Sequence, residues 1–153
     1  SCPTLAAGNF CDVRITGDVE VSANEPIQVA HFMLSVGQST DTANPPGDPS
    51  LAMAVPTEQF RVDYTLLVPA QYETNFFALV APKDGTVVLD DRDVTAQLAS
   101  FGSGTYKAGR VTVSDGAHRL QCSAGCGVEV GGYSGAVSYL FAGGLDLNQI
   151  VIE

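Results

Sequence analysis

The chain has 153 residues, of which 45% are hydrophobic and 16% charged, and it carries 16 glycines. This length fits a single domain, 1–153, with its own hydrophobic core, and the composition excludes a disordered or a largely helical chain. The formal net charge of -10 at pH 7 argues against nucleic acid and anionic membrane surfaces, because like charges repel. No stretch approaches the roughly 18 apolar residues of a membrane span, so membrane insertion is not expected.

Apolar and polar residues alternate with a period of two in the first part of the chain. The pairs Val13/Ile15 and Val19/Val21 therefore predict short strands. Residues 27–36 are apolar on both faces, which predicts a strand in the middle of a sheet. Residues 37–49, with Pro, Gly, Ser and Asp, predict the one long loop, and loops of this length are often functional.

The clearest strand pattern lies at residues 60–68, and further strands are predicted around residues 87–89, 111–113 and 128–130. Turns are predicted at 83–85, 90–93 and 114–116, the last as a hairpin, and a helix of one or two turns fits only at 94–101. Many short strands predict an all-β fold: a single-domain antiparallel β-sandwich, with a jelly-roll-like or barrel-like alternative and little helix.

Four cysteines, Cys2, Cys11, Cys122 and Cys126, form one pair towards each end of the chain. Three disulfide connectivities can be drawn, and we favour Cys2–Cys11 and Cys122–Cys126, because small residues between the last two allow a tight turn. A zinc site of four thiolates is the alternative, although the Cys-x2-Cys pairs of zinc ribbons are absent. Disulfides indicate an oxidising compartment and hence a secreted or cell-surface protein.

Eight short segments occur in an order that carries a resemblance to a known family: VSANEPIQVAHF (21–32), GDPSL (47–51), PTEQF (56–60), NFFALVA (75–81), VVLDD (87–91), DGAHRL (115–120), GVEVGGY (127–133) and SYLFAGGL (138–145). From about residue 19 to residue 147 the chain resembles the IgGFc-binding N-terminal domain family. The resemblance implies an extracellular domain of surface or secreted proteins, often beside adhesion modules, with no catalytic residues to carry over. Binding of immunoglobulin Fc is implied by the family name.

Catalysis finds little support in the residues. The only histidines are His31 and His118, and no nucleophile motif accompanies them. We interpret His31 as a satisfied core residue and His118 as a structural hydrogen-bonding residue, so the sequence predicts that the chain is not an enzyme.

Two sets of residues are candidates for binding a metal ion or a partner molecule. Asp90, Asp91 and Asp93 place three carboxylates within four residues, which could hold calcium, although a solvated hairpin tip is the interpretation we favour; no other cofactor is predicted. Tyr72 and Tyr133 offer a flat apolar face and a hydroxyl group to a protein or glycan.

Three function classes follow. The first is an extracellular, non-catalytic binding or adhesion module that recognises a protein or glycan partner at a cell surface or in matrix. The second is a structural subunit that self-assembles into a surface layer or fibre, and the third is an undetected hydrolase.

Overall fold

The structure is a computed structural model that describes residues 2–35 and 47–147. Every strand pairing in this part of the chain is antiparallel, and the only helical elements in it are two single 3-10 turns at Thr57–Gln59 and Thr95–Gln97. The all-β prediction is therefore confirmed. The ten strands are β1 Ala30–Phe32, β2 Leu51–Met53, β3 Arg61–Val68, β4 Thr74–Pro82, β5 Val87–Leu89, β6 Arg92–Asp93, β7 Ala99–Phe101, β8 Tyr106–Val113, β9 Gly116–Ser134 and β10 Val137–Ala142.

The 19-residue strand β9 organises the fold, because four other strands pair with it. Its first half lies between β3 and β5, and its second half lies between β4 and β10. Strand β6 extends the first group, and β8 followed by β7 extends the second. The eight strands thus form one sheet that curls into a half-barrel, and β9 runs through both parts of it.

A bulge at residues 122–125 bends β9 between its two halves. From the pair Arg61↔Cys126 to the pair Asp63↔Gln121, β3 advances two residues while β9 advances five. The Cys122–Cys126 disulfide closes this bulge with its Cα atoms 5.8 Å apart, and Gly125 within it has a φ of 75°, a conformation that favours glycine. Both predicted disulfides are confirmed, but the second spans a bulge inside a continuous strand and not a chain-reversing turn.

The hydrophobic core lies between the two halves of the curled sheet. Alternate residues of β3 and of both halves of β9 enter it, as the period-two pattern predicts. The ring of Phe77 on β4 meets the ring of His118 on β9 edge to face, with centroids 5.6 Å apart, so the two halves pack directly against each other. The buried core consists of Tyr64, Leu66, Val68, Phe77, Leu79, Ala81, Val87, Leu89, Val94, Leu98, Val111, Leu120, Cys122, Cys126, Val128 and Val130.

Two strand predictions in the first part of the chain are wrong. Residues 13–21 form no strand, and their apolar side chains are exposed. Of the predicted central strand 27–36, only β1 forms; it pairs with β2 alone, and Ile27, Phe32 and Leu34 are exposed, while residue 36 lies outside the described residues. Because this ribbon is a separate two-stranded sheet, only one of its faces is covered: Ala52 on β2 is buried and His31 opposite it is half-buried, whereas Phe32 is exposed.

The sequence predicts a hairpin at 114–116, but the strands on either side of this turn do not pair with each other. Strand β8 pairs with β4 and β7, whereas the start of β9 pairs with β3, so this short connection crosses from one half of the sheet to the other. The predicted helix at 94–101 reduces to the 3-10 turn at Thr95–Gln97, followed by β7.

Candidate functional site

His118 is buried and bonded at both ring nitrogens. Its Nδ1 lies 2.6 Å from Asp90 Oδ2, and its Nε2 lies 3.0 Å from the backbone carbonyl oxygen of Ser114. Both ring nitrogens therefore face an oxygen atom of the fold, and neither faces a serine or cysteine nucleophile. His118 is thus a structural hydrogen-bonding residue, as its sequence context predicts.

His31 binds the β1–β2 ribbon to the outer face of the sheet. Its Nδ1 lies 2.9 Å from Oε2 of Glu129, a residue in the second half of β9. The hydrogen bond to Glu129 raises the pKa of His31 above its ordinary value, although partial burial and Arg110 oppose the shift. His31 is half-buried, and its hydrogen bond to Glu129 connects the two-stranded sheet to the larger one. It is therefore not a core residue.

The acidic segment at residues 90–93 is the tip of the β5–β6 hairpin. Asp90 and Asp91 both have positive φ, at 49° and 62°, which is the backbone of a two-residue hairpin turn. Asp90 accepts hydrogen bonds from His118 and from the backbone N–H of Arg119, and Asp93 accepts one at 2.8 Å from the backbone N–H of Thr95. Two of the three candidate carboxylates therefore serve the fold.

These neighbours stabilise the ionised form of the Asp90 carboxyl group. Partial burial raises the pKa of Asp90, but the hydrogen bonds from His118 and Arg119 outweigh it and leave the pKa below its ordinary value. Within residues 2–35 and 47–147, no three His, Cys, Asp or Glu side chains are grouped so as to hold a metal ion. The calcium site at residues 90–93 stays a prediction.

Tyr72 and Tyr133 do not share a surface. Tyr72 packs edge to face on Tyr139, with centroids 4.6 Å apart, and Tyr139 in turn stacks on the partly exposed Phe141 at 5.9 Å. Tyr139 pairs with the residue before Tyr133 on β9, and since neighbouring residues of a strand point to opposite faces, Tyr133 lies on the other side of the sheet. Their roles as ligand contacts stay predictions.

Tyr139 is an aromatic residue next to Tyr72 that the sequence did not single out as a candidate. Its hydroxyl donates to Oδ1 of the buried Asn75 at 2.7 Å, and burial, with Tyr72 beside it, raises its pKa to about 12. The row Tyr72–Tyr139–Phe141 is an aromatic surface at the edge of the sheet. The alternation of Tyr139 and Phe141 along the sequence is a signal that could have pointed to it.

The end of the predicted long loop rests on the β9–β10 connection. The backbone N–H of Gly47 lies 2.9 Å from the carbonyl oxygen of Ser134, and the N–H of Asp48 donates to Ser138 Oγ at 2.8 Å. A side chain at Gly47 would approach Ser138 Oγ to 2.7 Å, so a glycine fits there. Residues 37–46 of this loop lie outside the described residues.

Residues 2–29, called here the N-terminal segment, run over the surface without forming a strand. Glu20 connects this segment to the sheet, since its carboxylate accepts a hydrogen bond at 3.1 Å from the backbone N–H of Ser103 in the β7–β8 turn. Seven large apolar side chains of this segment are exposed: Leu5, Phe10, Val13, Ile15, Val19, Val21 and Ile27.

These features define an all-β, disulfide-bonded module in which both histidines serve the structure. The comparison with protein families then identifies the particular family: the model described as IgGFc binding protein matches residues 2–132, and the chain belongs to that family. The match extends further towards the amino terminus than the resemblance at residues 19–147 and includes the Cys2–Cys11 disulfide. No curated protein and no solved structure matches the chain significantly.

Family membership carries general properties to the chain. The family is one of binding domains that are not typically enzymatic, and it is typically extracellular or located at the cell surface. No helix among the described residues is long and apolar enough to cross a membrane.

Proposed function

We propose that the chain is an extracellular, non-catalytic module that binds a protein partner through its surface. The observation that carries this proposal is the N-terminal segment, where seven large apolar side chains face solvent. Clusters of exposed apolar residues on a folded protein typically mark interaction sites. A protein surface offers apolar pockets to such side chains, so a protein partner fits this segment better than a glycan does.

The arrangement of the titratable groups supports binding over hydrolysis. His118 and Asp90 bond to each other and to the backbone, and His31 bonds to Glu129 on the outer face of the sheet. A hydrolase of the Ser-His-Asp type needs a histidine nitrogen within reach of a nucleophile. Among the described residues, neither histidine hydrogen-bonds to a serine hydroxyl, and the four cysteines are all in disulfides.

The first probe is human IgG Fc, because the family description names it. We would immobilise the chain and measure binding of Fc, of Fab as the matched control from the same antibody, and of purified serum and matrix proteins, with and without calcium. A glycan array and sedimentation velocity complete the screen. We expect saturable binding of at least one protein by a monomeric chain.

Binding to glycans alone would contradict a protein partner. Formation of large species at modest concentration without any added protein would favour the self-assembling subunit instead. A requirement for calcium would support the predicted site at residues 90–93.

A further inference from the structure

The loop closed by Cys2 and Cys11 lies apart from the core. Every residue from Cys2 to Phe10 is exposed, and Phe10 is 87% exposed, more than any other large apolar side chain in the described residues. We propose that this loop is the primary contact of the module, and that Phe10 inserts into an apolar pocket edged by Lys or Arg side chains on a protein partner. This inference rests on the proposed function.

The disulfide of this loop does not hold the core together. None of the residues 2–11 belongs to the buried core, and the hydrogen bond made by the loop, from Asn9 N–H to the Ala6 carbonyl oxygen at 3.0 Å, is internal. By contrast, Cys122 and Cys126 are both buried within the core. A cross-link that restrains only exposed residues shapes a surface and does not connect parts of the fold.

The Cys2–Cys11 disulfide restrains the loop before any partner binds. The Cys2–Cys11 bond holds its ends with Cα atoms 5.9 Å apart, and Gly8, with a φ of 83°, forms the turn at its tip. Covalent closure removes conformations that an open segment would lose on binding, and this pre-organisation raises affinity. A rigid aromatic side chain on such a loop is typical of the anchors that carry most of the energy of an interface.

The charge pattern indicates the chemistry of the partner. The ten residues 2–11 include no charged side chain, in a chain of net charge -10. The following stretch, 12–29, carries four carboxylates and one arginine, a formal net charge of 1 - 4 = -3: Asp12, Asp18, Glu20, Glu25 and Arg14. An uncharged apolar tip on an acidic stem is complementary to an apolar pocket with a basic rim, and the same acidic charge disfavours anionic membranes.

The test uses the full chain and the proteins of the binding screen, beginning with Fc. Phe10→Ala should weaken binding of the protein that the unmodified chain binds by about 30-fold, the loss typical of an aromatic anchor. Opening the loop with Cys2→Ala/Cys11→Ala should weaken it by roughly tenfold, since Phe10 remains but the loop is no longer restrained. Added salt should weaken binding further.

Leu67→Ala is the matched control. Leu67 is also a strongly exposed apolar residue, at 72%, but it lies on β3, away from the loop in sequence. Its replacement should change affinity less than twofold, and circular dichroism should show that every variant remains folded.

The possible failures can be told apart. Unchanged binding by Phe10→Ala, or an equal loss with Leu67→Ala, would overturn the role of the loop and leave the proposed function standing. If no protein of the screen binds the unmodified chain, the proposed function fails and this inference with it. Self-association that Phe10→Ala abolishes would place the loop against a second copy of the chain and overturn the assignment to a different protein.

Discussion

The two disulfides should contribute very differently to stability, in an order opposite to that of their loop lengths. They close loops of 5 and 10 residues, counted inclusively from sequence separations of 4 and 9. Chain entropy alone assigns about 2.1 kcal/mol to Cys122–Cys126 and about 2.7 kcal/mol to Cys2–Cys11 at 25 °C. The structure reverses this order, because only the cysteines of the shorter loop lie within the buried core.

We therefore expect Cys122→Ala/Cys126→Ala to lower the free energy of unfolding by about 2–4 kcal/mol, the loop entropy plus the lost packing of two buried sulfur atoms. Cys2→Ala/Cys11→Ala should lower it by less than about 0.5 kcal/mol, because an exposed segment can open without the core. Urea unfolding followed by circular dichroism and by tyrosine fluorescence measures both, since the chain has five tyrosines and no tryptophan.

An equal loss in the two double variants, or a larger loss for Cys2→Ala/Cys11→Ala, would refute this reasoning. Such a result would mean that the N-terminal segment unfolds together with the core. The midpoint and the slope of the urea curve should be compared separately, because a changed slope reports a change in the unfolded chain.

Three further substitutions test particular contacts. Gly109→Ala should lower the free energy of unfolding by about 1–3 kcal/mol, because a Cβ there would clash with the backbone oxygen of Gln97. Gly135→Ala, which has open space, should be neutral in urea unfolding. His31 has a raised pKa, so its stabilisation is present below its unfolded pKa of about 6.5 and is lost as the pH rises through the folded value. His31→Gln should therefore abolish a decline in protection of the β1 amides from hydrogen exchange as the pH rises above about 6.5, worth less than about 1 kcal/mol. Asp90 has a lowered pKa, so its stabilisation is present above its unfolded pKa of about 3.9 and is lost as the pH falls through the folded value. Asp90→Asn should cost about 1–2 kcal/mol in urea unfolding at pH 7 and less at pH 3, with Asp91→Asn as the matched control.

Each of these expectations can fail clearly. A stable Gly109→Ala variant would mean that the 3-10 turn at Thr95–Gln97 can move away from β8. A pH dependence that survives in His31→Gln would assign it to another group. Equal effects of Asp90→Asn and Asp91→Asn would show that the turn backbone matters and the bond to the buried histidine does not.

The strands around the core could be predicted from the sequence because one of their faces is buried. In β3, Tyr64, Leu66 and Val68 enter the core and alternate with exposed residues. Because one face of the strand is buried, apolar residues occur at every second position of the sequence. The same period at residues 13–21 misled the prediction. Alternation states that a strand could form, but a strand also needs a neighbouring edge with which to pair, and that edge is not encoded locally.

The candidate sites show the same contrast: bonds between residues close in sequence could be predicted, and bonds between distant residues could not. The disulfides lie between cysteines that are close in sequence, so spacing was sufficient. The bond between Asp90 and His118 spans 28 residues and exists because β5 and the first half of β9 pair in register. The continuity of β9 through its bulge was also hidden, since Cys122, Gly125 and Cys126 read as a turn when the partner strand is unknown.

The late position of β9 has a consequence for biosynthesis. Strand β3 ends at Val68, yet its only strand partner in the described residues is β9, which begins at Gly116. A chain emerging from the ribosome or from an export channel therefore carries β3 unpaired while nearly fifty residues follow, and the core cannot close until β9 has appeared. During that interval the apolar side chains of β3 have no complete core to enter, and exposed apolar strands of this kind are prone to aggregation.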